Sequence, residues 1–228
     1  MSANTAPALV RSAADFAEYN VSDAQPAHRD GPRKGFVERY IHSELYKWYA
    51  GVVCVIIHAH ADDILPYTRG HVFHVERHYQ RGDPGDVHDL LVKNMRLGTA
   101  FAGYFSWTGH HHTDLPTEAV VLMRRHGFTT WRRGLKEAVY RAVYTTKNAK
   151  SQTTATLLRG VFDADPKNTK GEWEDGAPTG PVNAFEPLTR DQARDTHVVN
   201  ARAGERVWGV WVQEVKCQAL YTSSVYQG

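Results

Sequence analysis

The chain has 228 residues, with 27 Lys and Arg against 25 Asp and Glu and a formal net charge of +2. That length is enough for one domain with a large buried core, and the charge balance supplies no field for nucleic acid or an anionic membrane. No apolar run reaches transmembrane length and no leader pattern opens the chain, while two cysteines, Cys54 and Cys217, make no disulfide framework. A cytoplasmic protein with Cys54 in its core is therefore expected.

Residues 1–12 are expected to be flexible, followed by a short amphipathic stretch at Ala13–Tyr19 and a Pro- and Gly-rich loop to Gly35. Glu38–Trp48 is predicted as a helix, with Tyr40, Ile41, Leu45 and Trp48 on one side and Ala50-Gly51 stopping it. Val52–His58 follows as a buried strand that runs into His58-Ala59-His60. Residues two apart on a strand share a face, so His58 and His60 project together. Two imidazoles so placed are either a divalent-metal pair or polar residues satisfied by hydrogen bonds at a strand end.

Asp62–Tyr67 is expected as a short turn limited by Pro66. Arg69–Asp89 carries His71, His74, His78 and His88, which are expected at an active-site mouth or facing solvent. The spacing predicts a helix over Leu90–Phe105, a solvated loop at Gly109–His112 and a short strand at Ala119–Met123. After it comes Arg124-Arg125-His126-Gly127, where glycine permits a tight turn. A third histidine there would complete three protein ligands and leave a position open, the catalytic metal pattern. It could equally be a turn histidine with no role.

Leu135–Arg159 is the longest predicted helix, with a core stripe that includes Leu135, Ala138 and Ala142. Residues 163–187 form an expected long surface loop. Thr189-Arg190-Asp191-Gln192 has the form of a capping box opening a final helix, and Trp208, Trp211 and Val215 fall at helical spacing. No internal repeat divides the chain, so 1–228 is expected to be a single domain.

Taken in order, Glu38 with His42, His58-Ala59-His60, His126-Gly127 and the C-terminal WGVWVQEVKCQALY resemble the class II aldolase and adducin head-domain family. The likeness extends over roughly residues 7 to 222. It implies an α/β fold with a mostly antiparallel central sheet flanked by helices. It also implies a divalent metal on His58, His60 and His126, most often Zn2+, with Fe2+ as the other candidate. Glu38 then corresponds to the acid–base, although an acidic residue in a first helical turn also favours the helix dipole. Tyr221 resembles a C-terminal tyrosine that donates a proton to the leaving group, or is a tail residue packed on the surface. Family members are commonly homo-oligomers, often tetramers.

The first of the family's phosphate-holding loops has no counterpart here, Met1–Leu9 could at best stand for a remnant of the second, and no Gly-rich nest replaces them. The substrate expected is therefore a small, unphosphorylated hydroxy-carbonyl or keto-acid compound. It would react by aldol or retro-aldol chemistry, or by decarboxylation, through a metal-bound enolate. Arg11, Arg33 or Arg39 could hold a substrate carboxylate. Two other readings remain at this point: a non-haem iron oxygenase on the same fold, and a catalytically inactive adducin-like assembly protein. The stretch from Tyr67 to Asp89 is short for the family, which usually fits a further strand and helix there.

Overall fold

A computed structural model describes residues 1–2, 6, 9–28, 35–52, 55–61, 72–83, 88–106, 114–163 and 189–221. The expectations for Asp62–Tyr67, His71, Gly109–His112, Cys54 and Arg33, and for nearly all of the 163–187 loop, lie outside them. The chain folds as helix α1 (Arg39–Trp48), strands β1 (Val55–His60) and β2 (Val72–Phe73), helix α2 (Met95–Ala102), strands β3 (Val120–Met123) and β4 (Gly127–Arg132), and helices α3 (Leu135–Asp163) and α4 (Arg190–Cys217). Among the described residues, the four strands form one sheet in the order β1-β4-β3-β2. β4 is antiparallel to both neighbours, and only the two-residue β2 runs parallel to β3. The mixed α/β architecture with a mostly antiparallel sheet is the one the resemblance implies.

Alternation along the strands assigns the two faces. Ile56 pairs with Trp131 and His58 with Thr129, while Val121 lies across from Thr129 on the other side of β4. These residues share one face, and Ile56, Trp131 and Val121 join Ile41 and Leu45 of α1 and Leu97 and Phe101 of α2 in the core. α3 covers the other face through β4 and β1, where Phe128, Thr130 and Ala138 are buried.

α1 and α2 lie close because Gly98 faces α1 without a side chain. A Cβ there would come within 2.6 Å of the Tyr40 carbonyl oxygen and 2.8 Å of Glu44 Cγ. Glu44 is itself buried. It accepts from Thr99 Oγ1 of α2 at 2.8 Å and is paired with Lys47 one turn further along α1, so the buried charge has a partner on each helix.

Several predicted boundaries are corrected. The helix expected over Leu90–Phe105 begins at Met95, because Asn94 caps it by accepting from Leu97 N at 2.9 Å. It ends in a short 3-10 turn, Gly103–Phe105. β4, where the sequence pattern is assigned no element beyond the turn at Gly127, is a strand buried along nearly all its length. The short 67–89 stretch does hold a strand, β2, and a 3-10 turn, Val75–Arg77, in which His74 and His78 share no α-helical face. α3 runs on to Asp163, and Leu135 at its start is 56% exposed rather than part of a core stripe. The capping box at Thr189 and Gln192 opens α4 as expected.

Candidate metal centre

β1 enters the core with Ile56 and leaves it with His58 and His60 on the same face. The register pairs His60 with Gly127, which carries the β3–β4 turn over the end of β1 and brings His126 alongside. That turn closes with His126 N donating to the Met123 carbonyl at 3.1 Å. Arg125 takes φ +56 within it. Gly127 is required for contact as well as conformation. Its φ is +156, and a Cβ would lie 2.0 Å from the Ala59 carbonyl oxygen.

The result is a three-histidine cluster. His126 Nε2 lies 3.2 Å from His58 Nε2 and 3.1 Å from His60 Nε2, and ligand atoms of all three lie within 4.8 Å of one another. The rings meet edge to face, with centroids 4.5 to 5.2 Å apart. Glu38, the residue that caps α1, places Oε1 3.9 Å from His60 Nε2. The cluster is graded in exposure. Its open side is at His60, whose side chain is 63% exposed, while that of Glu38 is 20% exposed.

Partners on the far side of the rings fix their orientation. His126 Nδ1 donates to the Leu90 carbonyl at 2.9 Å. A carbonyl can only accept, so the proton of neutral His126 sits on Nδ1 and the Nε2 lone pair faces the other histidines. His58 Nδ1 is 2.9 Å from Thr129 Oγ1, which lies across the ladder from it. Burial pushes His58 down to about 3, and the charges of His126 and His60 push the same way. Burial also lowers His126, against an opposing pull from the Leu90 carbonyl. Neutral imidazoles with converging lone pairs are the state a metal binds.

This donor set fits a divalent cation. Tetrahedral ligands at about 2.0–2.1 Å from a zinc ion stand roughly 3.3–3.4 Å from each other, close to the two nitrogen separations seen here. Ring nitrogens hydrogen-bonded on their outer side are the usual support of metal-bound histidines.

Four of the five residues singled out in the sequence, Glu38, His58, His60 and His126, come together here. Tyr221 does not join them within the chain. It lies past the end of α4, 41% exposed, with its backbone N–H on the Gln218 carbonyl. Arg39 is committed elsewhere, to the Ala24, Gly35 and Phe36 carbonyls and the Tyr40 hydroxyl. Thr129 and the Leu90 carbonyl were not foreseen. For Thr129 the signal was present in Phe128-Thr129-Thr130-Trp131, a β-branched and aromatic run.

A histidine pair at a strand end, a third from the next hairpin and a helix-borne carboxylate make a candidate divalent-metal site on an α/β fold. The whole sequence agrees with that class. Residues 8–153 match the family described as Class II Aldolase and Adducin N-terminal domain, well over half the chain, and the chain belongs to this family. It is also similar to a protein named Decarboxylase tropJ from Talaromyces stipitatus. The two are 36% identical over 241 residues, covering 98% of this chain and 83% of the relative. Family, relative and cluster together point to a lyase-type enzyme with a divalent metal. Among the described residues, no helix is long and apolar enough to cross a membrane.

Proposed function

We propose that the protein is a metal-dependent decarboxylase of small, unphosphorylated carboxylic acids. The substrates are keto acids or hydroxylated aromatic acids, in which an oxygen is conjugated with the bond that breaks. The observation that carries this reading is the convergence of His58, His60 and His126 beside Glu38. The similarity to a protein named as a decarboxylase over nearly the whole chain supports loss of carbon dioxide as the first reaction to test, ahead of aldol cleavage.

His58, His60 and His126 would hold the cation. When bound, it supplies Lewis acidity for negative charge developing on a substrate oxygen. The remaining chemistry falls to Glu38. As the bond to the carboxylate breaks, its electron pair passes into the conjugated system and onto that oxygen. The Glu38 carboxylic acid then delivers a proton to the carbon that has lost carbon dioxide, and regains one from solvent through the open side at His60. A carboxylate on a helix end beside a cation site is suited to such a transfer. The same arrangement serves the reverse proton movement in a retro-aldol step, so the distinction rests on substrate.

The test is carbon dioxide release from a panel of 3-keto acids and hydroxylated aromatic acids, with bound metal measured by elemental analysis. Zinc near one per chain, release abolished by chelation and restored by zinc, and Glu38→Gln inactive yet metal-replete would support the reading. Aldehyde release without carbon dioxide would replace it with an aldolase. Bound iron with oxygen uptake would replace it with an oxygenase. Protein that takes up no metal would leave an assembly protein of the adducin kind.

A further inference from the structure

We propose that Asp89 is a positioning residue for His126: its carboxylate closes a side-chain turn that holds Leu90 in the left-handed region and so aims the Leu90 carbonyl at His126 Nδ1. Leu90 has φ +65. A residue with a Cβ rarely adopts this conformation unless its surroundings enforce it. The enforcing contact is local. Asp89 Oδ1 accepts from Leu91 N at 3.2 Å, an Asx-turn in which the aspartate side chain takes the place of the first residue of a β-turn. Leu90 then occupies the position at which type II geometry requires positive φ.

Asp89 is anchored in turn. Lys93 Nζ donates to the same oxygen at 3.3 Å, and the Lys93 side chain is only 9% exposed, so the cation is itself held in place. Leu90 packs against the core, which fixes the other end of the turn. Its carbonyl is left facing the sheet, where His126 Nδ1 donates to it at 2.9 Å. The chain from Lys93 through Asp89 and Leu90 to His126 thus settles which imidazole nitrogen carries the proton.

One readout needs no metal. In metal-free protein labelled with 15N-histidine, the His126 signal is the one missing from His126→Ala. Wild type is expected to show His126 protonated on Nδ1. Asp89→Asn keeps the side-chain acceptor and is expected to show the same form, whereas Asp89→Ala is expected to show a mixture of the two neutral forms. The second readout, cobalt(II) affinity by competition with a chelator, rests on the metal reading. Asp89→Ala should bind about tenfold more weakly, and Asp89→Asn as wild type. Glycine adopts positive φ without help, so Asp89→Ala with Leu90→Gly should recover both the Nδ1–H form and the affinity. That double variant and Asp89→Asn keep the test decisive where Asp89→Ala folds poorly.

An unchanged His126 signal in Asp89→Ala would overturn the proposal. So would an Asp89→Asn variant as impaired as Asp89→Ala, since charge rather than the turn would then be responsible. Wild-type protein that binds no cobalt would sink the metal reading alone, and the nitrogen spectra would still decide the role of Asp89.

Discussion

His58 and His126 differ in how firmly their protons are placed. The carbonyl partner of His126 admits one arrangement, whereas the Thr129 hydroxyl can donate to or accept from His58. Thr129→Val keeps the shape of a fully buried residue and removes that partner. We expect metal affinity to fall about tenfold with little loss of fold, as measured by chelator competition beside a thermal melt. Acid acts on the same residues. The folded-state pKa of His58 is depressed to about 3 by burial and that of His42 to about 4 by the same cause. Below the ordinary value of 6.5 the unfolded chain takes up protons that the folded chain refuses. Stability of the metal-free protein is therefore complete above that value and declines as pH falls toward the folded pKa values. For His58 the loss between pH 7 and pH 5 is about 2 kcal/mol. Urea midpoints at the two pH values check this, and equal midpoints would show that the histidine is not buried neutral.

Close approach between elements decides the geometry more than propensity does. Gly98 is the contact point of α1 and α2, and Gly98→Ala must push a methyl group into the Tyr40 carbonyl. A cost of about 1–3 kcal/mol is expected, visible as a lower urea midpoint with catalytic pH dependence unchanged. The features with a local cause were legible from the residues. The alternation Ile56, His58, His60 put both imidazoles on one face, and the Thr189 and Gln192 capping box gave the start of α4. β4 was missed although its β-branched and aromatic run signals a strand, because Phe128, Thr129, Thr130 and Trp131 are buried on both faces and show no polar–apolar alternation. The start of α2 was missed for a different reason. Leu90, Leu91 and Val92 continue an apolar rhythm, but Asp89 and Asn94 use their side chains to bond the backbone and delay the helix. Tyr221 was singled out by likeness alone, and nothing in its spacing could say where the end of α4 would lie.

At the scale of the whole molecule, α3 and α4 pack on each other yet leave Leu157, Leu158, Val198, Val199 and Val210 at least half exposed. Apolar surface of this kind on long helices is expected to be covered by further copies of the chain. Light scattering should give a mass that is a multiple of 25.7 kDa, and Val199→Glu with Leu157→Glu should reduce it while metal content is retained. A monomeric wild type would contradict this. The shared face of β1 has a consequence for folding fidelity. Ile56 is gripped by the core and His58 and His60 by the cluster, so one alternation places both. A slip of β1 by one position against β4 would turn all three toward α3, and no such chain could assemble the cluster. On the proposed function, a bound ion would therefore act as a proofreading mark, since only chains whose strands found their correct partners could hold one.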